Sequence, residues 1–90
     1  MIGKEFEVTN RLGLHARPST LFVQRAQKYA AEIKVKKENQ QEEIDGKSIL
    51  GLLTLGAEQG SKVFVVVNGQ DEERLIEEIA ELFSNKFYED

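Results

Sequence analysis

The 90-residue chain has no cysteine, one proline and one histidine. Without cysteine, neither disulfides nor thiolate metal ligands can hold it together. A single imidazole and no thiol leave too few ligands for a transition-metal centre, so no metal is expected. No long basic run is present, and 12 Lys and Arg against 16 Asp and Glu give a net charge of −4. Binding to a nucleic-acid backbone needs clustered cations, so no nucleic-acid partner is expected. No apolar run approaches the roughly 20 residues of a membrane span, so no membrane insertion is expected. The opening Met1-Ile2-Gly3-Lys4-Glu5 has no apolar signal core. No glycine-rich phosphate loop of the nucleotide-binding kind is seen, so no ATP or NAD cofactor is expected, and no Ser-His-acid hydrolase arrangement stands out. The expectation is a cytoplasmic protein of one domain spanning residues 1–90. A chain this short buries only a little more than roughly 60% of its unfolded surface. One compact core must therefore supply the stability, and the 40% hydrophobic content is adequate for it.

The pattern along the chain then gives the elements. Phe6 and Val8 alternate with Glu5, Glu7 and Thr9, which predicts a half-buried strand. Residues 10–13 break that pattern. Pro18, tolerated in the first turn of a helix, predicts a helix opening near Ala16 or Arg17. Phe22, Val23, Ala26, Tyr29 and Ala30 follow at helical spacing, and the helix is expected to end near Tyr29 or Ala30. Ile33 and Val35 alternate with charges as a second strand. Residues 39–41 suit a hairpin turn, and residues 42–44 a short third strand. Asp45-Gly46-Lys47-Ser48 supplies helix caps ahead of Ile49-Leu50-Gly51-Leu52-Leu53-Thr54-Leu55, a short segment apolar on nearly every side. So small a domain cannot bury all of it, which predicts an exposed interaction surface. Val63 to Val67 is the clearest strand. Asp71, Glu72 and Glu73 place favourable negative charge at the start of a last helix, whose stripe is Leu75, Ile76, Ile79, Leu82 and Phe83. Residues 85–90 are expected to fray, with Phe87 and Tyr88 able to dock. The order β-α-β-β-α-β-α predicts an α+β fold: one mainly antiparallel four-stranded sheet with three helices on one face.

Two residues invite a chemical reading. His15 falls at the helix start fixed by Pro18. The unpaired N–H groups of Ala16 and Arg17 and the positive end of the helix face outward there, and such a site attracts phosphate. The Arg17 guanidinium adds a cationic donor fork. Local chemistry leaves two readings open: a phosphohistidine site, or a histidine that caps a helix beside a solvated arginine. Ser48 is equally an ordinary helix-capping serine or a phosphorylation target, where phosphate would add about −1.5 to −2 charge beside an apolar patch. Asp71, Glu72 and Glu73 read better as helix-start charges than as a metal site. Glu42, Glu43 and Asp45 read as solvated surface.

The run Gly13-Leu14-His15-Ala16-Arg17-Pro18 resembles the active-site motif of the HPr family, the histidine-containing phosphocarriers of the phosphoenolpyruvate-dependent phosphotransferase system. The run Lys47-Ser48-Ile49-Leu50-Gly51-Leu52-Leu53-Thr54-Leu55-Gly56 resembles the family's second motif, and Gln59-Gly60-Ser61-Lys62-Val63 its turn into the last strand. The resemblance implies an open-faced sandwich of four strands and three helices, acting as a monomer and not as an enzyme. His15 would accept a phosphoryl group on Nδ1 from phosphorylated enzyme I and pass it to the A component of an enzyme II. Arg17 would steady the phosphate, with the amides of Ala16 and Arg17 beside it. Ser48 matches the serine that an HPr kinase/phosphorylase modifies in some bacteria. Leu50 and Leu53, with Leu21 or Phe22 adjoining, would dock partners.

The chain also departs from the sugar-transport members. Many of them carry a polar residue just before Gly13 that can contact the histidine; here it is Leu12. Asn10-Arg11-Leu12-Gly13 and the ending Leu82-Phe83 … Phe87-Tyr88-Glu89-Asp90 look more like NPr, the nitrogen-regulatory relative, whereas Gly46-Lys47-Ser48-Ile49 looks like the sugar branch. The expected function is phosphoryl transfer for sugar uptake, with a nitrogen-type regulatory phosphorelay as the alternative wiring. Two other classes remain: a binding module in which His15 only caps a helix, and a small ferredoxin-like hydrolase such as an acylphosphatase, which lacks the final amphipathic helix.

Overall fold

In the computed structural model, which describes residues 1–89, the elements follow in the expected order: β1 (Ile2–Glu7), α1 (Ala16–Ala26), β2 (Glu32–Lys37), β3 (Glu43–Asp45), α2 (Ile49–Leu55), β4 (Lys62–Asn68) and α3 (Glu72–Ser84). The four strands form one antiparallel sheet in the order β1-β4-β2-β3. β1 and β2 flank β4 and run parallel to each other, with α1 crossing between them, so the topology is a split βαβ unit. The register places Phe6 opposite Val63, and Val35 opposite Val65 and Ile44. Side chains alternate across a strand, so these residues with Ile33 and Val67 make one apolar face. Phe6, Val35, Val63 and Val65 are buried in it under Phe22, Val23, Leu52, Leu75, Ile79 and Leu82 of the helices. The opposite face is charged. There Glu7 stands opposite Lys62, Lys36 opposite Glu43, and Lys34 opposite Asp45, each an opposite-sign pair that favours the register.

Three boundaries differ from expectation. α1 ends at Ala26 rather than near Tyr29. The chain beyond it tightens into i→i+3 bonds, from Lys28 N–H to Arg25 O (3.3 Å) and from Tyr29 N–H to Ala26 O (3.2 Å), because tertiary partners take over the next groups. Lys47 Nζ donates to Tyr29 O (2.7 Å), and the Asp71 carboxylate accepts the N–H groups of Ala30 and Ala31, each at 2.9 Å. Asp71 is thus chiefly a tie across to the end of α1, not only a helix-start charge. β3 covers residues 43–45, one later than expected. The segment after α3 does not fray within the described residues. Lys86–Tyr88 form a compact turn and Phe87 is buried at 1% exposure; Asp90 lies outside the described residues.

The two amide hydrogen bonds, Ala30's foremost, hold the Asp71 carboxyl below its usual range, helped by the charge of Lys47 and opposed by partial burial. A carboxyl lowered on folding adds stability that is complete above its unfolded value and is lost as pH falls through its folded value. Urea midpoints should therefore start to drop below about pH 4, where the unfolded carboxyl begins to bind protons. Asp71→Asn should be less stable at neutral pH and show a shallower decline on acidification; parallel declines would contradict this account.

Candidate functional site

The site is built at the entrance to α1. After β1 the chain turns through residues 10–14, and Gly13 adopts φ of 70°, the left-handed region that favours glycine. The constraint is also spatial: a Cβ at Gly13 would lie 2.4 Å from the Ala57 carbonyl oxygen. Gly13 N–H donates to Asn10 O (3.1 Å), and Leu14 N–H donates to Ala57 O (2.9 Å), which pins the loop to the segment before β4. Leu14 is buried, and its carbonyl accepts the hydroxyl of buried Ser19 at 3.0 Å. These bonds leave His15 as the N-cap residue of α1, in extended conformation, with its carbonyl accepting Ser19 N–H (3.1 Å) and its side chain making no cap bond. Ala16 and Arg17 supply two of the helix-start N–H groups that α1 itself cannot satisfy. Both residues are exposed, and Pro18 is buried in the first turn.

The imidazole is only partly open, with 34% of its side chain exposed, because a carboxylate distant in sequence lies on it. His15 Nε2 is 2.9 Å from Glu89 Oε1. The same oxygen accepts Asn10 Nδ2 at 2.9 Å, and Asn10 Nδ2 also donates to Gly13 O at 2.7 Å. Asn10 is wholly buried, and its Oδ1 has no partner among the described residues. Leu12, directly before Gly13, is 68% exposed. The partner of the imidazole comes from residue 89. Sequence reading missed Glu89 and Asn10 as site residues. They lie 74 and 5 positions from His15, and nothing in local pattern marks either.

Glu89 is delivered by an unusual turn. Lys86, Phe87 and Tyr88 have φ of 52°, 55° and 58°. Left-handed backbone costs an ordinary residue roughly 1–2 kcal/mol, so three in succession need compensation. Phe87 provides it by packing edge-on against Phe83, with centroids 5.0 Å apart. The Tyr88 hydroxyl donates to Glu81, which also takes Arg25 at 2.7 Å. These bonds, Tyr88's first, hold the Glu81 carboxyl below its usual range.

Ser48 is the N-cap of α2, and its Oγ accepts Gly51 N–H at 3.0 Å. No hydrogen bond links it to His15 among the described residues. α2 packs on α1 and buries Leu52 and Leu55, while Ile49, Leu50 and Leu53 stay exposed at 39%, 71% and 40%. The expected apolar surface therefore exists. Phe22 is no part of it, being fully buried on the core side of α1, while Leu21 is partly buried.

A family model described as the PTS HPr component phosphorylation site matches residues 2–85. The chain belongs to the HPr family. The phosphocarrier protein HPr of Xylella fastidiosa is 38% identical over 90 residues, covering 100% of this chain and 99% of the relative. The HPr-like protein Crh of Bacillus subtilis is 34% identical over 80 residues, covering 89% and 92%. The crystal structure of an HPr from Thermoanaerobacter tengcongensis matches with a TM-score of 0.93 at 41% identity, covering 100% and 99%. An HPr dimer from the same organism matches with a TM-score of 0.74 at 43% identity, covering 90% and 91%. As an HPr-family member the chain is a phosphocarrier of the phosphotransferase system, not an enzyme. No helix among its described residues is long and apolar enough to cross a membrane.

Phe87→Ala is expected to lower stability by about 3 kcal/mol, the usual cost of deleting a buried phenyl ring. It should also release Glu89, which NMR would register as loss of the contact between residue 89 and the His15 ring. Retention of that contact would show that Phe87 is not the anchor.

Proposed function

We propose that His15 accepts a phosphoryl group on Nδ1 from phosphorylated enzyme I and passes it to the A components of enzymes II for sugar uptake in the cytoplasm. The observation that carries this reading is the placement of His15 as the N-cap of α1. The only imidazole in the chain stands there at the end of a helix that attracts anions. Arg17, exposed two residues on, is the cation that steadies the phosphate, and the Ala16 and Arg17 amides are the neighbouring donors. A carrier must release what it accepts. Helix amides and one solvent-exposed guanidinium suit that need, since they stabilise phosphate modestly at an open surface.

Leu50 and Leu53 are the proposed docking residues for both partners, on a small transient interface of the order of 1,200 Å². Ser48 borders this apolar surface and is the proposed target of an HPr kinase/phosphorylase. Phosphate on it would impede docking through charge and desolvation. The carrier is taken to act as a monomer. A nitrogen-type phosphorelay would use the same site with different partners, and the NPr-like run Asn10-Arg11-Leu12-Gly13 favours that second reading.

Incubation with phosphoenolpyruvate and enzyme I should place acid-labile, base-stable phosphate on the wild type and none on His15→Ala. Labelling that persists in His15→Ala would refute the assignment. Arg17→Ala should slow transfer on the order of tenfold, the loss expected for one charge-assisted hydrogen bond. Transfer onward to sugar-specific or to nitrogen-type enzyme II A proteins separates the two wirings. Exposure of the chain to ATP and an HPr kinase should give acid-stable phosphate that is lost in Ser48→Ala; equal labelling of both would move the regulatory site elsewhere.

A further inference from the structure

Glu89 is held against His15 by more structure than a passing surface contact has. Three consecutive left-handed residues, Lys86 to Tyr88, aim it. Buried Phe87 and the Tyr88–Glu81 hydrogen bond fasten the turn. From beneath, buried Asn10 donates to Glu89 Oε1, the oxygen that faces His15 Nε2 at 2.9 Å. An ionised carboxylate only accepts hydrogen bonds, so Nε2 must be the protonated ring nitrogen. In a neutral imidazole that leaves the lone pair on Nδ1.

We infer that Glu89 is the positioning residue for phosphoryl transfer at His15, holding the ring as the Nε2–H tautomer with Nδ1 as the free nucleophile. The inference rests on the phosphocarrier reading of His15. In the accepting step the Nδ1 lone pair forms the new N–P bond while the bond from phosphorus to the donor breaks, its electron pair leaving with the donor. The Nε2 proton stays in place, so the ring becomes cationic and its positive charge faces the Glu89 carboxylate. In the onward step the N–P bond pair returns to Nδ1, and the ring is restored to the same neutral tautomer. No proton moves in either direction, and the site needs no general base. A carboxylate that orients an imidazole and faces its developing charge is the arrangement nucleophilic catalysis uses elsewhere; here it would serve a reversible carrier.

The test compares wild type with Glu89→Ala and Glu89→Gln. Nitrogen-15 NMR of the ring, in mildly alkaline solution where an imidazole is neutral, should show a protonated Nε2 and an unprotonated Nδ1 in the wild type. In Glu89→Ala both signals should move toward the average of two exchanging tautomers. Glu89→Gln keeps an acceptor oxygen and should lie nearer the wild type. Phosphoryl acceptance from phosphorylated enzyme I should slow on the order of fivefold in Glu89→Ala, as for loss of one hydrogen bond, and less in Glu89→Gln. Unchanged ring signals in Glu89→Ala would overturn the inference. Moved signals with an unchanged transfer rate would also overturn it, leaving Glu89 a structural contact. The tautomer is read without any phosphoryl donor. A wild type that accepts no phosphate would therefore refute the carrier reading, and that failure is distinguishable from failure of the tautomer assignment.

Discussion

The Phe83 ring is where the separate parts of this molecule are joined. It stacks on Phe6 of β1 with centroids 4.6 Å apart, meets Phe22 of α1 edge-on at 6.4 Å, and takes Phe87 edge-on at 5.0 Å. One side chain of α3 therefore touches the first strand, the first helix and the turn after α3. Aromatic pairs in these geometries add roughly 0.5–1.5 kcal/mol each beyond the area they bury. A 90-residue chain without disulfides depends on such contacts to fix its parts against one another. The consequence reaches the surface: α1 presents His15, the turn presents Glu89, and Phe83 sets the distance between them.

Around that join, polar ties replace what regular secondary structure leaves unfinished. Lys47 satisfies the Tyr29 carbonyl beyond α1, and Lys37 Nζ does the same for the Gly56 carbonyl beyond α2 at 3.1 Å. Asp71 takes two amides across the gap between α3 and β2. Each lysine or aspartate spans a break between elements, where backbone groups would otherwise lack partners. The helix starts differ. Ser48 closes its own helix with a side-chain bond, whereas His15 leaves its helix start open. An open start keeps backbone donors available to an incoming anion, and a closed one is already satisfied.

Much of the fold was legible in the sequence because it is written in local pattern. Alternation at Phe6 and Val8, helical spacing from Phe22 to Ala26 and again from Leu75 to Phe83, and the break at Gly13 each depend on near neighbours. The position of His15 at a helix start followed from Pro18 three residues on, and the exposed leucines of α2 from the absence of any polar face. α1 ends before its apolar spacing does, since Tyr29 and Ala30 keep that spacing while Lys47 and Asp71, far along the chain, capture the backbone there. Spacing leaves Leu21 and Phe22 equally near the docking surface, because it cannot say which side of a packed helix meets the sheet; packing buries Phe22.

The sequence by itself determined the order of elements, the main apolar stripes of strands and helices, and the place of its one imidazole at a helix start. Only the tertiary structure decided what that imidazole faces. Glu89 reaches His15 through a buried phenylalanine and a left-handed turn of three ordinary residues, a conformation their identities disfavour, and Asn10 bonds the same carboxylate oxygen. Local preference argues against such a turn. It is imposed by burial of Phe87 against Phe83, a contact that exists only once strand, helices and turn have packed together.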